Sequence, residues 1–233
     1  MTRKEYFDKI LKSYSLVSTL SNKNNSLVLR LRNRSNNKDL VMRSYDTPIL
    51  AYDKLCNIKH DNLPIIYDAI TLEDGQIVLE EFIDGITVAD VMESGQYKYS
   101  GTRKVLRSVC YALQLLHELG FVHRDVKPEN IMIHKDGRVI LIDFNTTRKI
   151  SKADKDTVVM GTVGYASPEQ LGVTQSDART DIYAVGVTLN VMITGKHPSE
   201  EFAKGKAGRI VTKCTNINPD KRYQSAEQLI KLL

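Results

Sequence analysis

Between a helix-forming run and a hairpin signal the chain reads His123-Arg124-Asp125-Val126-Lys127-Pro128-Glu129-Asn130, and after that hairpin comes Asp143-Phe144-Asn145. The first stretch falls on a loop and the second at a strand end. Asp125, Asn130 and Asp143 bring oxygen atoms that can act as ligands or bases. Magnesium takes oxygen ligands, keeps waters, and is held by few carboxylates together with substrate phosphates. Asp143 and Asn130 suit such a partial cage. Asp125 can orient a hydroxyl and accept its proton. Lys127, just past Asp125, can set a positive charge beside a transferring phosphate. His123 reads as a packing and hydrogen-bonding residue, because Asp125 already fills the base role.

These groups need a scaffold. Tyr6, Phe7, Ile10, Leu11 and Tyr14 have helical spacing, which predicts a short amphipathic helix over 3–14. Strand-like runs follow at Ser15–Leu20, Ser26–Arg32 and Asp39–Tyr45. Asp46-Thr47-Pro48 signals a helix start, with the helix running to about Asn57. Strands over 64–70 and 76–83 flank the turn Glu73-Asp74-Gly75. The first third is therefore a small, mostly antiparallel sheet with one helix. Behind it lie a short helix at Thr87–Glu93 and a stronger one at Gly101–Leu119, with Val105, Val109, Ala112, Leu113 and Leu116 on one face. A hairpin, Ile131–His134 and Arg138–Ile142, turns at Asp136-Gly137. Arg179–Thr194 is apolar nearly all round and predicts a buried helix, and Ala207–Thr215 and Ser225–Leu233 predict the last helices. The class is α+β, with a β-rich front lobe (about 1–83) and a helical back lobe (84–233).

Composition narrows the function. The chain has 233 residues, 42% hydrophobic and 26% charged, and a net charge of +5. That suits one globular domain with two lobes and excludes a disordered chain, a collagen-like repeat or a disulfide scaffold. The positive charge is scattered, densest at Arg30, Arg32 and Arg34, with no basic stripe or reading motif for nucleic acid. Cys56, Cys110 and Cys214 are far apart and lack metal-ligand spacing, which predicts reduced thiols in a cytoplasmic setting. The N-terminus has no signal-peptide core, and the longest apolar run, Ile182 to Ile193, is too short to span a bilayer.

With His123 to Asn130 and Asp143 in place, the chain resembles the protein-kinase family, whose catalytic loop reads H-R-D-x-x-x-x-N and is followed by a metal-binding Asp. Further stretches match in order. Gly161-Thr162-Val163-Gly164-Tyr165-Ala166-Ser167-Pro168-Glu169 resembles the end of the activation segment, with Ser167 where Ala is common. Asp181 and Gly186 resemble the buried-helix Asp and its following Gly, and Arg222 the late Arg that pairs with Glu169. Asp-Phe-Asn, the Gly-Thr-Val-Gly-Tyr run and Pro168-Glu169-Gln170 together look like bacterial serine/threonine kinases of the eukaryotic type. Lys127 and Thr162 follow the serine/threonine pattern.

The resemblance implies a bilobal fold that binds ATP and Mg²⁺ and phosphorylates protein hydroxyls. Asp125, Lys127 and Asn130 would be catalytic, and Asn130 and Asp143 would hold the metal. Val28, Val41, Glu81, Ile83 and Met132 would line the nucleotide site, with Arg43 as its cation. Glu169, Asp181 and Arg222 would be structural, Asp181 anchoring the catalytic-loop backbone. Arg124 beside the catalytic Asp implies control by activation-segment phosphorylation, with Thr157, then Ser151, as phosphosites and Thr162 in the same segment. Autophosphorylation in trans is a corollary.

The front lobe departs from the family. Where a Gly-rich loop should cover the phosphates, Ser21-Asn22-Lys23-Asn24-Asn25-Ser26-Leu27-Val28 has no glycine. Close backbone approach to phosphate is then restricted, although Asn tolerates positive φ. Arg43 stands in for the strand lysine. Its usual partner, a Glu on the next helix, falls at Ala51, leaving Asp53 as a weak candidate. Glu80 occupies a position before the Glu81-Phe82-Ile83 hinge where apolar residues are common. A buried carboxylate needs a partner, and Arg43 is within its repertoire. Asn145 stands in place of the Gly of Asp-Phe-Gly; asparagine is the non-glycine residue best suited to a left-handed torsion, so Asp143 can still be placed, and a stiffer hinge is expected. The alternative to an active kinase is a pseudokinase that binds nucleotide or partners without turnover, which the Gly-free loop and Arg43 favour and the intact catalytic loop opposes. A small-molecule kinase would lack the Gly161–Glu169 stretch.

Overall fold

A computed structural model describes residues 1–23, 26–95, 99–150, 161–171 and 175–233. The chain divides into two compact units. The first holds residues 1–60 and 64–84, the second 61–63 and 85–233.

The first unit starts with α1 (Arg3–Ile10), β1 (Tyr14–Lys23), β2 (Ser26–Asn33), β3 (Asp39–Tyr45), α2 (Leu50–Leu55), β4 (Ile66–Leu72) and β5 (Gly75–Glu81). The strands form one antiparallel sheet in the order β1-β2-β3-β5-β4. Period-two alternation sorts its side chains. One face carries Leu29, Leu31, Leu40, Met42 and Ile77, packed against Ile10 and partly buried Tyr6 and Phe7 of α1. The other face carries Val28, Val41, Arg43, Val78 and Glu80, all buried. Directly opposed residues include Val28 with Arg43, Arg43 with Val78, and Val41 with Glu80.

Two expected boundaries are corrected here. The first helix stops at Ile10, and Tyr14 begins β1, where it still packs on the α1-side core. A capping box of Thr2 and Glu5 starts α1. The second helix begins at Leu50 rather than at Asp46-Thr47-Pro48. Asp46 lies ahead of the N-cap Ile49 and pairs instead with Arg3, Nη1 to Oδ1 at 2.7 Å. Ile49 has no side-chain cap bond, and its own N–H donates to Gln76 Oε1 at 2.9 Å.

The second unit holds β6 (Gly85–Thr87), α3 (Val88–Glu93), α4 (Tyr99–Glu118), β7 (Phe121–Val122), β8 (Ile131–His134), β9 (Val139–Leu141), β10 (Arg148–Lys149), α5 (Pro168–Leu171), α6 (Ala178–Thr194), α7 (Gly205–Cys214) and α8 (Ala226–Ile230). Its strands make two small sheets, β6-β8-β9 and β10-β7. Helix α4 buries Leu106, Val109, Cys110, Ala112, Leu113 and Leu116 completely. Helix α6 is buried nearly all round, as its apolar sequence requires. It packs on α4 and α7, while α8 packs on α4. Among the described residues no helix is long and apolar enough to cross a membrane.

Candidate active site

The 123–130 loop leaves β7 and enters β8 through a single 3-10 turn at Pro128–Asn130. Its start is fastened by Asp181 of α6, which is fully buried. Asp181 Oδ2 accepts the His123 N–H at 2.9 Å, and Oδ1 accepts the Arg124 N–H at 2.8 Å. His117, in the last turn of α4, places Nε2 at 2.8 Å from Oδ2. Burial pushes the Asp181 carboxyl up. The His117 contact and the backbone donors outweigh it, so the group ionises below its ordinary range. A buried carboxylate so surrounded is a structural anchor.

The loop is also held on its carbonyl side. Thr146 Oγ1 donates to His123 O at 2.9 Å, Gln170 Nε2 to Arg124 O at 2.9 Å, and Thr188 Oγ1 to Val126 O at 3.3 Å. His117, Thr146 and Thr188 lie outside any motif, and Gln170 enters only through Pro168-Glu169-Gln170, so their hold on the loop is not readable from spacing. Arg124 takes φ 71 and Asp143 φ 68. Asn145 does not adopt the left-handed torsion it could tolerate; that torsion falls on Asp143. The strain of turning this segment sits on the acidic residue itself, a location typical of functional sites.

Asp125 stands at the centre. Its Oδ1 accepts the Thr162 hydroxyl at 2.6 Å and the Thr162 N–H at 3.2 Å. Its Oδ2 lies 2.8 Å from Lys127 Nζ and accepts Asn130 Nδ2 at 2.8 Å. Lys127 Nζ also reaches Thr162 Oγ1 at 2.5 Å. Burial raises the Asp125 carboxyl, but hydrogen bonds from Lys127 and Thr162 and the Lys127 charge together hold it below its ordinary value. Asp125 is therefore a carboxylate at neutral pH.

Asn130 uses its amide nitrogen for both of its bonds within the loop, to Asp125 O and Oδ2. Its Oδ1 is left as an acceptor. The Ile142 N–H donates to Asn130 O at 2.9 Å, which brings the start of Asp143-Phe144-Asn145 beside Asn130. His123 is completely buried, with its ring edge-on to Phe144 at 5.6 Å. Burial lowers its pKa against the pull of Asp181, Asp125 and Asp143, so the ring is neutral.

Glu169 and Arg222 form a buried two-bonded pair, Oε1 to Nη1 at 2.6 Å and Oε2 to Nη2 at 2.8 Å. Thr180 Oγ1 adds a bond to Glu169 at 3.1 Å. In the first unit, Val28, Val41 and Arg43 share a sheet face, and Arg43 Nε donates to Glu80 Oε1 at 2.6 Å. Glu81 ends β5 and accepts the Ile65 N–H at 3.2 Å, and Ile83 is buried. Met132 lies on β8 of the second unit. Thr157 and Ser151 lie outside the described residues.

An anionic base, a cation and an alcohol thus meet at one point. A carboxamide oxygen and a second carboxylate come from adjoining segments. The protein kinase domain family matches residues 28–233. A probable serine/threonine-protein kinase, CPE1738, of Clostridium perfringens is 28% identical over 229 residues, covering 86% of this chain and 33% of that protein. The serine/threonine-protein kinase PknB of Mycolicibacterium smegmatis is 29% identical over 204 residues, covering 74% of this chain and 33% of the relative. A probable serine/threonine-protein kinase, CE0033, of Corynebacterium efficiens is 36% identical over 152 residues, 61% of this chain and 23% of its own length. The chain spans a third or less of the length of these relatives. With the 123–130 loop tied to a buried Asp181 and the family match running through to the last residue, the chain belongs to the protein kinase domain family.

Proposed function

We propose that the chain is a protein serine/threonine kinase domain, its two units parts of one domain, transferring the γ-phosphoryl of ATP to hydroxyls of protein substrates in a Mg²⁺-dependent reaction. The observation that carries this reading is Asp125: a carboxylate held by Lys127 and already accepting an alcohol, that of Thr162, at 2.6 Å. A substrate hydroxyl is the same chemical group. Asp125 orients it and takes its proton as the oxygen bonds to phosphorus, and the bond from the γ-phosphorus to the bridging oxygen breaks to release ADP. Lys127 offsets charge on the phosphoryl in flight. The step depends on positioning and electrostatics more than on covalent help from the protein.

Asn130 Oδ1 and the Asp143 carboxylate are hard oxygen donors, and among the described residues no larger cluster of metal-ligating side chains exists. That set fits Mg²⁺, which completes its shell with water and substrate phosphates. When bound, the ion would neutralise phosphate charge. Arg43 is the proposed phosphate cation. Val28, Val41, Glu81, Ile83 and Met132 are the proposed nucleotide contacts. Arg124 is the proposed partner of a phosphate on Thr157, placed there in trans by a second copy. A cytoplasmic setting suits ATP and the reduced thiols.

The test is transfer of labelled phosphate from ATP and Mg²⁺ to a generic basic protein, beside Asp125→Ala and Asp143→Ala. Transfer abolished in both variants is the expected result. No transfer by the unaltered chain, together with a nucleotide-induced rise in melting temperature, would make it a binding module instead.

A further inference from the structure

Arg43 and Glu80 stand on adjacent central strands, Arg43 opposite Val78 and Glu80 opposite Val41. Two residues apart in register, they are diagonal neighbours on one sheet face. Their side chains are 9% and 3% exposed, and Arg43 Nε donates to Glu80 Oε1 at 2.6 Å. A guanidinium is a rigid planar fork, so fastening Nε sets the direction of its two terminal nitrogens. Those nitrogens can grip phosphate oxygens.

In the general protein-kinase arrangement the cation on this strand is a Lys, oriented by a Glu on the following helix, so helix position controls activity. Helix α2 offers Ala51 at that place and one acid, Asp53. Asp53 Oδ1 accepts Gln76 Nε2 at 3.0 Å, and the same fully buried Gln76 accepts the Ile49 N–H. Tyr52 of α2 is bonded to Tyr45 of β3, hydroxyl to hydroxyl, at 3.0 Å. Helix α2 is thus fastened to the sheet through Gln76 and Tyr45, and the carboxylate on the cation comes from β5.

We propose that Glu80 is the positioning residue for Arg43: the neighbouring strand, not the helix, aims the cation at the nucleotide's phosphates. This rests on the reading of Arg43 as a phosphate contact. The acceptor for Arg43 Nε then comes from β5 rather than from a helix carboxylate.

The experiment measures ATP affinity with Mg²⁺ present, kcat, KM for ATP and melting temperature. The variants are Arg43→Met, Glu80→Leu, Glu80→Gln, the double Arg43→Met/Glu80→Leu, and Asp53→Asn. Arg43→Met and Glu80→Leu are each expected to weaken ATP binding roughly tenfold or more, the worth of a charge-assisted hydrogen bond, with KM rising in step. Glu80→Gln keeps an acceptor within reach and is expected to fall between wild type and Glu80→Leu. The double variant replaces a buried pair with apolar side chains, a change proteins tolerate. It should bind ATP no more weakly than Arg43→Met, because Glu80 acts only through Arg43. Asp53→Asn should bind as wild type does.

If Arg43→Met leaves ATP affinity unchanged, the phosphate role of Arg43 fails and the proposal falls with it. If Arg43→Met weakens binding while both Glu80 variants do not, or the two losses add in the double variant, Arg43 keeps its role and the proposal alone is overturned. A loss in Asp53→Asn equal to that in Glu80→Leu would assign the aiming to α2 and overturn it as well.

Discussion

Thr162 donates its hydroxyl to Asp125 Oδ1 at 2.6 Å while Lys127 Nζ reaches the same oxygen atom of Thr162 at 2.5 Å. The segment that ends at Glu169 therefore touches the Asp125 carboxylate directly, and threonine, lysine and aspartate hold one another in place. Removing the hydroxyl takes one hydrogen bond from each partner and leaves Asp125 Oδ1 with the Thr162 N–H alone, while the Lys127–Asp125 pair remains. Thr162→Ala is expected to lower kcat roughly tenfold or more, the worth of hydrogen bonds to charged groups, with KM for ATP little changed. Thr162→Ser should keep most of the activity. Steady-state transfer to a generic basic protein checks this, and equal kcat for Thr162→Ala and wild type would refute it.

Glu169 and Arg222 offer a stability measurement. The Arg222 side chain is 0% exposed and Glu169 6%, so deleting the carboxylate strands a buried cation. Glu169→Ala is expected to destabilise the fold by about 3–5 kcal/mol. The double variant Glu169→Leu/Arg222→Met should cost clearly less, because no charge is left without a partner. Urea denaturation at pH 7 reads both, and a double variant as unstable as the single one would contradict the account.

His123 predicts a pH dependence. Burial lowers its folded pKa below the ordinary value of about 6.5. The unfolded chain then binds a proton that the folded chain refuses. Its contribution is fully present above about pH 6.5 and is lost as pH falls through the folded pKa. Substituting a ring that cannot titrate, His123→Phe, is expected to flatten the fall in denaturation midpoint between pH 7.5 and pH 5.5, values spanning the ordinary pKa of about 6.5. An unchanged slope would show that the titration belongs to other groups.

Gly186 lies mid-helix in α6, where helix propensity alone favours alanine by about 1 kcal/mol. A Cβ there would meet Cys214 Cβ at 2.3 Å and Thr215 Cγ2 at 3.2 Å. Overpacking costs about 1–3 kcal/mol and outweighs propensity. Gly186→Ala should lower the melting temperature. Adding Cys214→Ala should not restore it, because alanine keeps the offending Cβ. Rescue by Cys214→Ala would place the clash elsewhere.

Much of this molecule is decided locally and can be read along the chain. Val41-Met42-Arg43 alternates because a strand turns successive side chains to opposite faces, so the sheet and its two faces follow from residue order. The spacing from His123 to Asn130 places a base, a cation and a metal-ligand candidate on one loop, and that reading needs no partner from afar. What tertiary structure alone decided are the contacts between residues far apart in sequence. The two central strands had to pair before Glu80 could find Arg43, although each was already conspicuous as an oddity. Asp46-Thr47-Pro48 signals a helix start, yet the helix begins at Leu50 and Asp46 pairs with Arg3. The left-handed torsion falls on Asp143 rather than Asn145, although local preference favours asparagine there. Long-range hydrogen bonds to charged groups are worth more than the few tenths to one kcal/mol that separate local propensities, and they become countable only once the strands and helices have met.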